Sequence, residues 1–302
     1  MRPSSRARRT LLALAVVVIL LGVWIGVSIL TLPSVAPLAK PGVSMTITVK
    51  DWNRKDHPFV VGPRNPRWTP YGAIPSALKK AVVASEDANF YTHDGVDYEA
   101  IQKAIKADWR KGKFVRGGST ITQQLAKNLF LTRERTLIRK VKEIVLARRM
   151  DDALSKARIL ELYLNVVELG PMVYGIGHAS HYYFGKGPSA LTVRECAFLA
   201  SMLPGPKVYN PYRKMDRVMK RSDRILRRMV AARMISREEY DAALSEVPNL
   251  AGIARKVEKT LEAPPPEEKA PGEASGEGPV ILDEPPPAAP PEEPRSGEDP
   301  VR

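Results

Sequence analysis

The stretch that decides the fold runs from Glu86 to Gly95 and reads Glu-Asp-Ala-Asn-Phe-Tyr-Thr-His-Asp-Gly. It follows an apolar segment with helical spacing that begins at Pro75, a residue suited to the first turn of a helix. The spacing predicts a helix that ends near Glu86, with Asp87 directly after it. Acidic side chains are unfavourable at a helix C-terminus. These two carboxylates could mark an ordinary helix end. Otherwise, we expect either neighbouring groups that offset their unfavourable position or a functional role.

A second block, Gly-Gly-Ser-Thr-Ile-Thr-Gln-Gln from Gly117 to Gln124, predicts the start of another helix. Thr120 and Gln123 have the spacing of a capping box, in which each side chain bonds the backbone N–H of the other residue. Because a helix N-terminus has unpaired N–H groups and the positive end of the helix dipole, it also favours an anion. An ordinary helix cap is the alternative interpretation of the same residues.

Helix signals recur through the middle of the chain, and no long alternating run competes with them. The further capping patterns are Ser155, Thr192 with Glu195, and Ser236 with Glu239. The middle of the chain is therefore predicted to be mainly α-helical. The single cysteine, Cys196, excludes an intramolecular disulfide and is expected to be a buried thiol in a core helix.

The N-terminal region predicts a membrane anchor. Residues 10–32 are uncharged, and about 20 apolar residues span a bilayer. Arginines in residues 1–9 predict that this end stays in the cytoplasm. A cleaved signal peptide is the alternative, but the run is longer than a signal core and no small-x-small cleavage site follows directly. We therefore expect one transmembrane helix, with the rest of the chain outside the cytoplasm.

Composition divides the remaining chain into three parts. Prolines in residues 33–64 favour an extended stalk, with a short strand at Met45–Lys50. Residues 65–252 form the predicted folded domain. Residues 253–302 are predicted to be a disordered acidic tail, because residues 262–302 hold 12 prolines and almost no large apolar side chains.

The charge of the chain indicates anionic partners. The formal net charge of the 302 residues is +14, and residues 262–302 contribute −8, so the remainder carries +22. A body this basic favours acidic phospholipid, pyrophosphate or nucleic acid. Nucleic acid is a poor fit for an anchored domain that lies outside the cytosol.

A cationic cluster is predicted on the helix that follows the second block. Arg135, Arg139 and Glu143 are spaced i, i+4 and i+8, so they share one helix face. The charged face is expected to line a cleft while the apolar face packs inward, the latter comprising Ile138, Val141 and Val145. A solvated surface with intrahelical salt bridges is the alternative.

The order and spacing of five blocks resemble those of the peptidoglycan glycosyltransferases, membrane-anchored polymerases that make glycan strands from lipid II. The blocks are Glu86 to Gly95, Gly117 to Gln124, Arg139 to Glu143, Lys156 to Asn165, and Tyr183 to Lys186. The resemblance covers roughly residues 65–235 and is to the monofunctional type, which has no penicillin-binding transpeptidase domain. The chain departs from the pattern at Pro171, where relatives often have a small polar residue, and at Gly177-His178, where many relatives have an acidic residue.

The resemblance implies a mainly α, lysozyme-like glycosyltransferase domain with a small membrane-contacting lobe, preceded by one transmembrane helix. It implies attack of the lipid II 4-hydroxyl on the growing chain, loss of undecaprenyl pyrophosphate and inversion to a β-1,4 bond. The implied location is the bacterial cytoplasmic (inner) membrane, with the domain on its periplasmic side. The implied partners are lipid II, the nascent glycan strand, the anionic lipid surface and proteins of cell-wall synthesis, without nucleic acid.

The reaction that the resemblance implies assigns roles to the matched residues. A sugar hydroxyl needs a positioned base, for which we select Glu86. Glu143 resembles the second essential carboxylate of the family, and it could orient cations, bind a metal or position the acceptor. A pyrophosphate leaving group needs fixed cations, and the candidates are Lys127, Arg135, Arg139 and Lys140, with Lys127 and Arg135 favoured.

Further matched residues are expected to bind the substrate or hold Glu86 in place: Asp87, His93, Ser119, Thr120, Gln123 and Gln124. Asn165 and Lys186 match motif positions and are expected to be mainly structural. The histidines lack metal-site spacing, so no cofactor follows from the residues, and the resemblance leaves open a Mg²⁺ or Mn²⁺ ion near the pyrophosphate.

Two other functions stay open at this point. A lytic transglycosylase or muramidase shares a lysozyme-like fold and one catalytic glutamate, but it needs a protonated acid and no row of cations. A catalytically silent scaffold that recruits wall-synthesis proteins through residues 262–302 is the other alternative.

Overall fold

The computed structural model describes residues 5–50, 55–111, 118–132, 136–203, 205 and 208–250. Gly117, Arg135 and the predicted tail, residues 253–302, lie outside this part of the chain. The chain divides into two units, Met1–Pro264 and Pro265–Arg302, and the second lies wholly outside the described residues.

The described chain is mainly helical, which confirms the predicted fold class. The helices are α1 (Ser5–Leu30), α2 (Ser76–Glu86), α3 (Tyr98–Lys111), α4 (Ile121–Phe130), α5 (Leu137–Ala153), α6 (Lys156–Val166), α7 (Ile176–Phe184), α8 (Val193–Met202), α9 (Pro211–Ala231) and α10 (Arg237–Ser245). The strands are β1 (Met45–Lys50), β2 (Asp56–Val61), β3 (Glu168–Gly170) and β4 (Val173–Tyr174).

Four helices begin where their capping residues predicted. Thr120, Thr192 and Ser236 each form a capping box at the start of α4, α8 and α10. Ser155 accepts a hydrogen bond from the Arg158 backbone N–H at the start of α6. Each such cap stabilises its helix by about 1 kcal/mol. The capping residues alone therefore predict where these four helices begin.

The core of the described domain is built on α6 and α8. Residues 158–166 of α6 and residues 194–202 of α8 are all buried, including Cys196 as predicted. Helix α2 packs against α8 and α9, whereas α4 packs against α5 and α6. The end of α2 and the beginning of α4 are therefore held by different parts of one core.

Helix α1 contains a segment, Leu12–Leu30, that is long and apolar enough to cross a membrane by length and composition. None of this segment is buried inside the protein. A signal sequence near an N-terminus passes the same test, so these properties do not separate the two interpretations of the segment.

Residues 33–64 differ from the predicted extended stalk, although the predicted strand at Met45–Lys50 is present. It pairs with β2 as an antiparallel hairpin. Val61 is only 1% exposed, and Arg158 Nε donates to the Leu38 carbonyl oxygen at 2.9 Å. Alternate residues of the strand are partly buried, so its apolar face packs on the domain. The prediction of a stalk rested on the proline count and did not use this alternation.

Helix α5 corrects the expectation that its apolar face packs inward. It begins at Leu137 with Thr136 as its N-cap, and Arg135, the first member of the predicted charged face, lies outside the described residues. Its buried residues are Glu143, Leu146, Ala147 and Met150, whereas Ile138, Val141 and Val145 are partly or largely exposed. Glu143 faces inward because Arg139 and Lys140 neutralise it, a pairing that apolar periodicity does not reveal.

Gly177 gives a test of the packing around α7. An added Cβ would lie 2.0 Å from the Arg67 carbonyl oxygen, so any side chain at this position requires the neighbouring backbone to move. We expect Gly177→Ala to lower the free energy of unfolding by about 2 to 3 kcal/mol. Gly187→Ala has no atom within 4 Å of the new Cβ and should change it by less than about 1 kcal/mol. Urea unfolding in detergent measures both, and equal stabilities would contradict the expectation.

Candidate active site

The Glu86 carboxylate is held by side chains from two other helices. Gln124 Nε2, on α4, donates to Glu86 Oε2 at 3.2 Å, and Arg221 Nη2, on α9, donates to Glu86 Oε1 at 3.2 Å. The Glu86 side chain is 9% exposed. Arg228 Nη1 also contacts the Ala84 carbonyl oxygen at 3.4 Å. The Arg221 cation therefore offsets the unfavourable position of an acid at the end of α2, whereas Arg228 contacts the backbone two residues before Glu86.

Tyr163 fixes the orientation of the Gln124 amide. Its hydroxyl donates to Gln124 Oε1 at 2.9 Å. Burial raises the pKa of Tyr163 well above its ordinary value, and the charges of Glu86 and Asp87 raise it further. Since the tyrosine keeps its proton, the amide oxygen stays an acceptor and its NH₂ group must point at Glu86.

Asp87 occupies the N-terminus of α4. Its Oδ2 accepts the Ile121 backbone N–H at 2.9 Å, and His93 Nε2 lies 3.0 Å from both carboxylate oxygens. Asp87 is 7% exposed and the His93 side chain 8%. We predicted that this helix end binds a substrate anion, but the protein's own carboxylate fills it. Asp87 and His93 are thus buried and bonded within the protein, next to Glu86, and their predicted substrate contacts stay a prediction.

Thr120 and Gln123 are likewise committed to the framework. Thr120 Oγ1 donates to the Gly95 carbonyl oxygen at 2.6 Å, and Gln123 Oε1 accepts the Thr120 backbone N–H at 3.0 Å. Their exposures are 2% and 0%. Gly95 has a φ of +80°, and a Cβ there would lie 2.5 Å from the Ala147 carbonyl oxygen. The glycine therefore lets the loop pass close to α5.

Cations surround Glu143 on α5. Arg139 Nη1 lies 2.8 Å from Glu143 Oε2, and Lys140 Nζ contacts Glu143 Oε1. Lys140 Nζ also donates to Ser119 Oγ at 2.8 Å, directly before α4. Arg139 and Lys140 carry two positive charges against one carboxylate, and the Lys140 side chain is 38% exposed. The cluster therefore presents excess positive charge beside the start of α4.

The remaining predicted residues have different placements. Lys127 lies in the last turn of α4 and is exposed, and Arg135 lies outside the described residues. Asn165 bonds both the N–H and the carbonyl of Thr69 at 2.8 Å, and Lys186 pairs with Glu195 at 2.7 Å. These last contacts fit the structural roles expected of Asn165 and Lys186.

The donor set does not fit a divalent metal ion. Among the described residues, no group of three or more His, Cys, Asp and Glu side chains could hold one. Both oxygens of Glu143 already face Arg139 and Lys140, which would repel a divalent cation. Of the roles open to Glu143, orienting these two cations is the one that the contacts favour, and no step of a reaction is assigned to a metal.

Sequence reasoning missed Arg221 and gave no role to Tyr163. Arg221 lies 135 positions from Glu86, and the blocks of sequence that carry the other site residues end before it. Its spacing of four residues from Arg217 marks a basic helix face. Only the packing of α9 against α2 brings Arg221, at the edge of that face, to the carboxylate.

Comparisons with known proteins agree on one family. Residues 57–230, more than half of the chain, match the model of the transglycosylase family. The biosynthetic peptidoglycan transglycosylase of Herminiimonas arsenicoxydans is 47% identical over 168 residues, which cover 56% of this chain and 73% of that protein. The protein of the same name from Paraburkholderia xenovorans is 48% identical over 167 residues, covering 55% and 70%.

Longer proteins match over part of their length. Penicillin-binding protein 1A of Aquifex aeolicus is 46% identical over 173 residues, which cover 57% of this chain and 24% of that protein. A crystal structure of penicillin-binding protein 1A from Haemophilus influenzae is 22% identical, with a TM-score of 0.38, covering 72% of this chain and 24% of the other. A superposition this loose carries no argument about the site.

Asp87 gives a test of the framework. Asp87→Asn keeps the shape of the side chain but removes the charge that bonds His93 and the start of α4. We expect the free energy of unfolding to fall by about 2 to 3 kcal/mol. Asp94→Asn in the same loop is the matched control, because the Asp94 side chain is 76% exposed and should change stability by about 0.5 kcal/mol or less. A loss for Asp87→Asn no larger than the loss for the control, in urea unfolding, would contradict the supporting role.

Proposed function

Because the chain belongs to the transglycosylase family, which makes it a glycosyltransferase, we propose that it polymerises the glycan strands of peptidoglycan at a membrane. It transfers the growing undecaprenyl-pyrophosphate-linked chain to the 4-hydroxyl of lipid II, with inversion to a β-1,4 bond. One observation carries the proposal: Glu86 and an excess of positive charge are held at the same end of α4, through Gln124 and Ser119.

Glu86 is the general base of the proposed reaction. A sugar hydroxyl is a poor nucleophile at neutral pH, so a positioned carboxylate must take its proton as it attacks. The proton passes from the 4-hydroxyl of the acceptor to Glu86 while the bond from that oxygen to the anomeric carbon forms. The bond from the anomeric carbon to the pyrophosphate oxygen breaks, and the electron pair leaves with the pyrophosphate.

The cations around Glu143 stabilise that leaving group. The departing pyrophosphate gains negative charge, which fixed cations stabilise without giving up a proton. Arg139 and Lys140 are already oriented by Glu143, so little reorganisation is needed when the charge develops. Lys127 on α4 and Arg135 are the further candidates for phosphate contacts.

The hydrogen bonds of Glu86 favour synthesis over the cleavage of glycan strands. A cleaving enzyme needs a carboxylic acid that donates a proton to the leaving oxygen. Both oxygens of Glu86 accept hydrogen bonds from N–H donors, namely Gln124 and Arg221. This is the arrangement expected of a carboxylate that accepts a proton.

A basic ridge on α9 supports a location at an anionic lipid surface, which we propose to be the periplasmic side of the inner membrane. We define the ridge as four exposed residues on the side of the helix opposite its buried side: Arg217, Lys220, Arg224 and Arg227. A cation near an anionic leaflet contributes about 1 kcal/mol. Together with the apolar segment of α1, the ridge would hold the domain beside its lipid-linked substrate.

Polymerisation of purified lipid II in liposomes tests the function and its base. We expect glycan chains on a gel from the wild type and a rate at least about 100-fold lower from Glu86→Gln, which cannot accept the proton. Glu99→Gln is the matched control, because the Glu99 side chain is 80% exposed and should leave the rate unchanged. Cleavage of intact glycan strands without polymer formation would replace the proposal with the lytic alternative.

Lipid composition tests the basic ridge. We expect the wild type to polymerise faster in vesicles with phosphatidylglycerol than in vesicles of phosphatidylcholine alone, and added salt to reduce the difference. Changing the four ridge residues to Gln should abolish the lipid dependence. The control changes four exposed cations on other elements to Gln: Lys40, Lys103, Lys106 and Arg237. An equal effect of both quadruple variants would show that net charge, and not the ridge, sets the lipid dependence.

A further inference from the structure

Arg221 connects α9 directly to the end of α2. Its Nη2 lies 3.2 Å from Glu86 Oε1, and its side chain is 20% exposed. The guanidinium carbon lies 5.2 Å from the centroid of the Tyr209 ring. The aromatic ring and the carboxylate therefore restrict the guanidinium from two sides.

The pair is poorly arranged for stability alone. An arginine bonds a carboxylate most strongly when two of its N–H groups donate in parallel. Arg221, however, donates to Glu86 through Nη2 alone. Arg221 Nε is buried, and no hydrogen-bond partner for it is found among the described residues. Because a buried unpaired donor is unfavourable, a pair selected for stability alone would be expected to use both groups.

The same contact is well arranged to fix a carboxylate. Glu86 has three side-chain torsions, and donors on both of its oxygens restrict the last of them. Gln124 bonds Oε2 from α4, and Arg221 bonds Oε1 from α9. Ser85 Oγ also donates to Oε1 at 3.3 Å, but it belongs to the same helix as Glu86. Gln124 and Arg221 therefore tie the carboxylate to two other helices, and it cannot rotate without breaking one of these bonds.

From this geometry, and resting on the proposed function, we propose that Arg221 is a positioning residue that acts through Glu86. It fixes the orientation in which the carboxylate meets the acceptor hydroxyl. Arg221 neither gives nor takes a proton: the proton moves from the 4-hydroxyl to Glu86. Its effect therefore belongs to the chemical step and not to the binding of lipid II.

Arg228 provides the matched control. It lies on the same helix, seven residues further on, and contacts the Ala84 carbonyl oxygen, two residues before Glu86. Like Arg221, it is a cation at the end of α2, but no bond between it and the Glu86 carboxylate is found within the described residues. A general effect of cations at this helix end would appear in variants of both arginines.

The test measures kcat and KM for lipid II polymerisation by the full chain with Arg221→Met, Arg221→Lys or Arg228→Met. We expect Arg221→Met to lower kcat about 30-fold or more, since misplacement of a reacting group by 1 Å can cost about 100-fold. KM should stay within about 2-fold of the wild-type value. Arg221→Lys keeps the charge and should recover part of the loss, whereas Arg228→Met should stay within about 2-fold of the wild type in both constants.

A shortened base gives a second readout. In Glu86→Asp the carboxylate is displaced from Arg221, so adding Arg221→Met should lower kcat much less than it does beside Glu86. Equal losses in the two backgrounds would overturn the proposal. So would a raised KM with normal kcat, which would make Arg221 a substrate contact, or wild-type constants in both Arg221 variants.

Two further comparisons distinguish a folding defect, and a failure of the proposed function, from a failure of the inference about Arg221. If Arg221→Met does not fold, Arg221→Lys decides the question: a lowered kcat with an unchanged KM supports positioning, and unchanged constants overturn it. Failure of the proposed function itself would be visible first in the wild type, which would then form no polymer. A wild type that polymerises beside unaffected Arg221 variants would overturn only the inference about Arg221.

Discussion

The bond between the Asp87 carboxylate and the first backbone N–H of α4 is the contact on which the rest of the site depends. Asp87 directly follows α2, so the bond joins the end of one helix to the start of another. A carboxylate at a helix N-terminus is favoured by the helix dipole, and His93 bonds the same group from the far side of the loop. Glu86 precedes Asp87, and Gln124 lies in the first turn of α4. Their contact follows once Asp87 is in place.

The three carboxylates of the site differ through their partners. Asp87 accepts a backbone N–H and His93 within the protein, which commits it to structure. Glu143 is buried between two cations that it orients. Glu86 accepts longer hydrogen bonds, from the Gln124 amide, one N–H group of Arg221 and the Ser85 hydroxyl, at 3.2 to 3.3 Å. Under the proposed function, these similar residues take a supporting, an orienting and a reactive role, and their neighbours decide which role each takes.

The sequence predicts best what short-range contacts decide. Capping residues set the starts of α4, α6, α8 and α10 because their bonds lie within three residues. The inward face of α5 could not be predicted from apolar periodicity, since it depends on how Arg139 and Lys140 neutralise Glu143. Arg221 could not be linked to Glu86 at all, because a contact across 135 positions exists only after α9 has packed against α2.

The need to hold distant groups together explains why several residues of the matched blocks are buried and bonded within the protein. A base and a set of cations must stay in register while negative charge moves from one to the other, and preorganisation of this kind requires rigid support. Phe90 is fully buried, Gly95 passes close to Ala147, and Thr120 bonds the Gly95 carbonyl oxygen. These contacts fix the loop that carries Asp87 and His93. A change in any of them would displace Glu86 relative to the cations without touching a substrate, so the block is better understood as a support with one reactive group at its end.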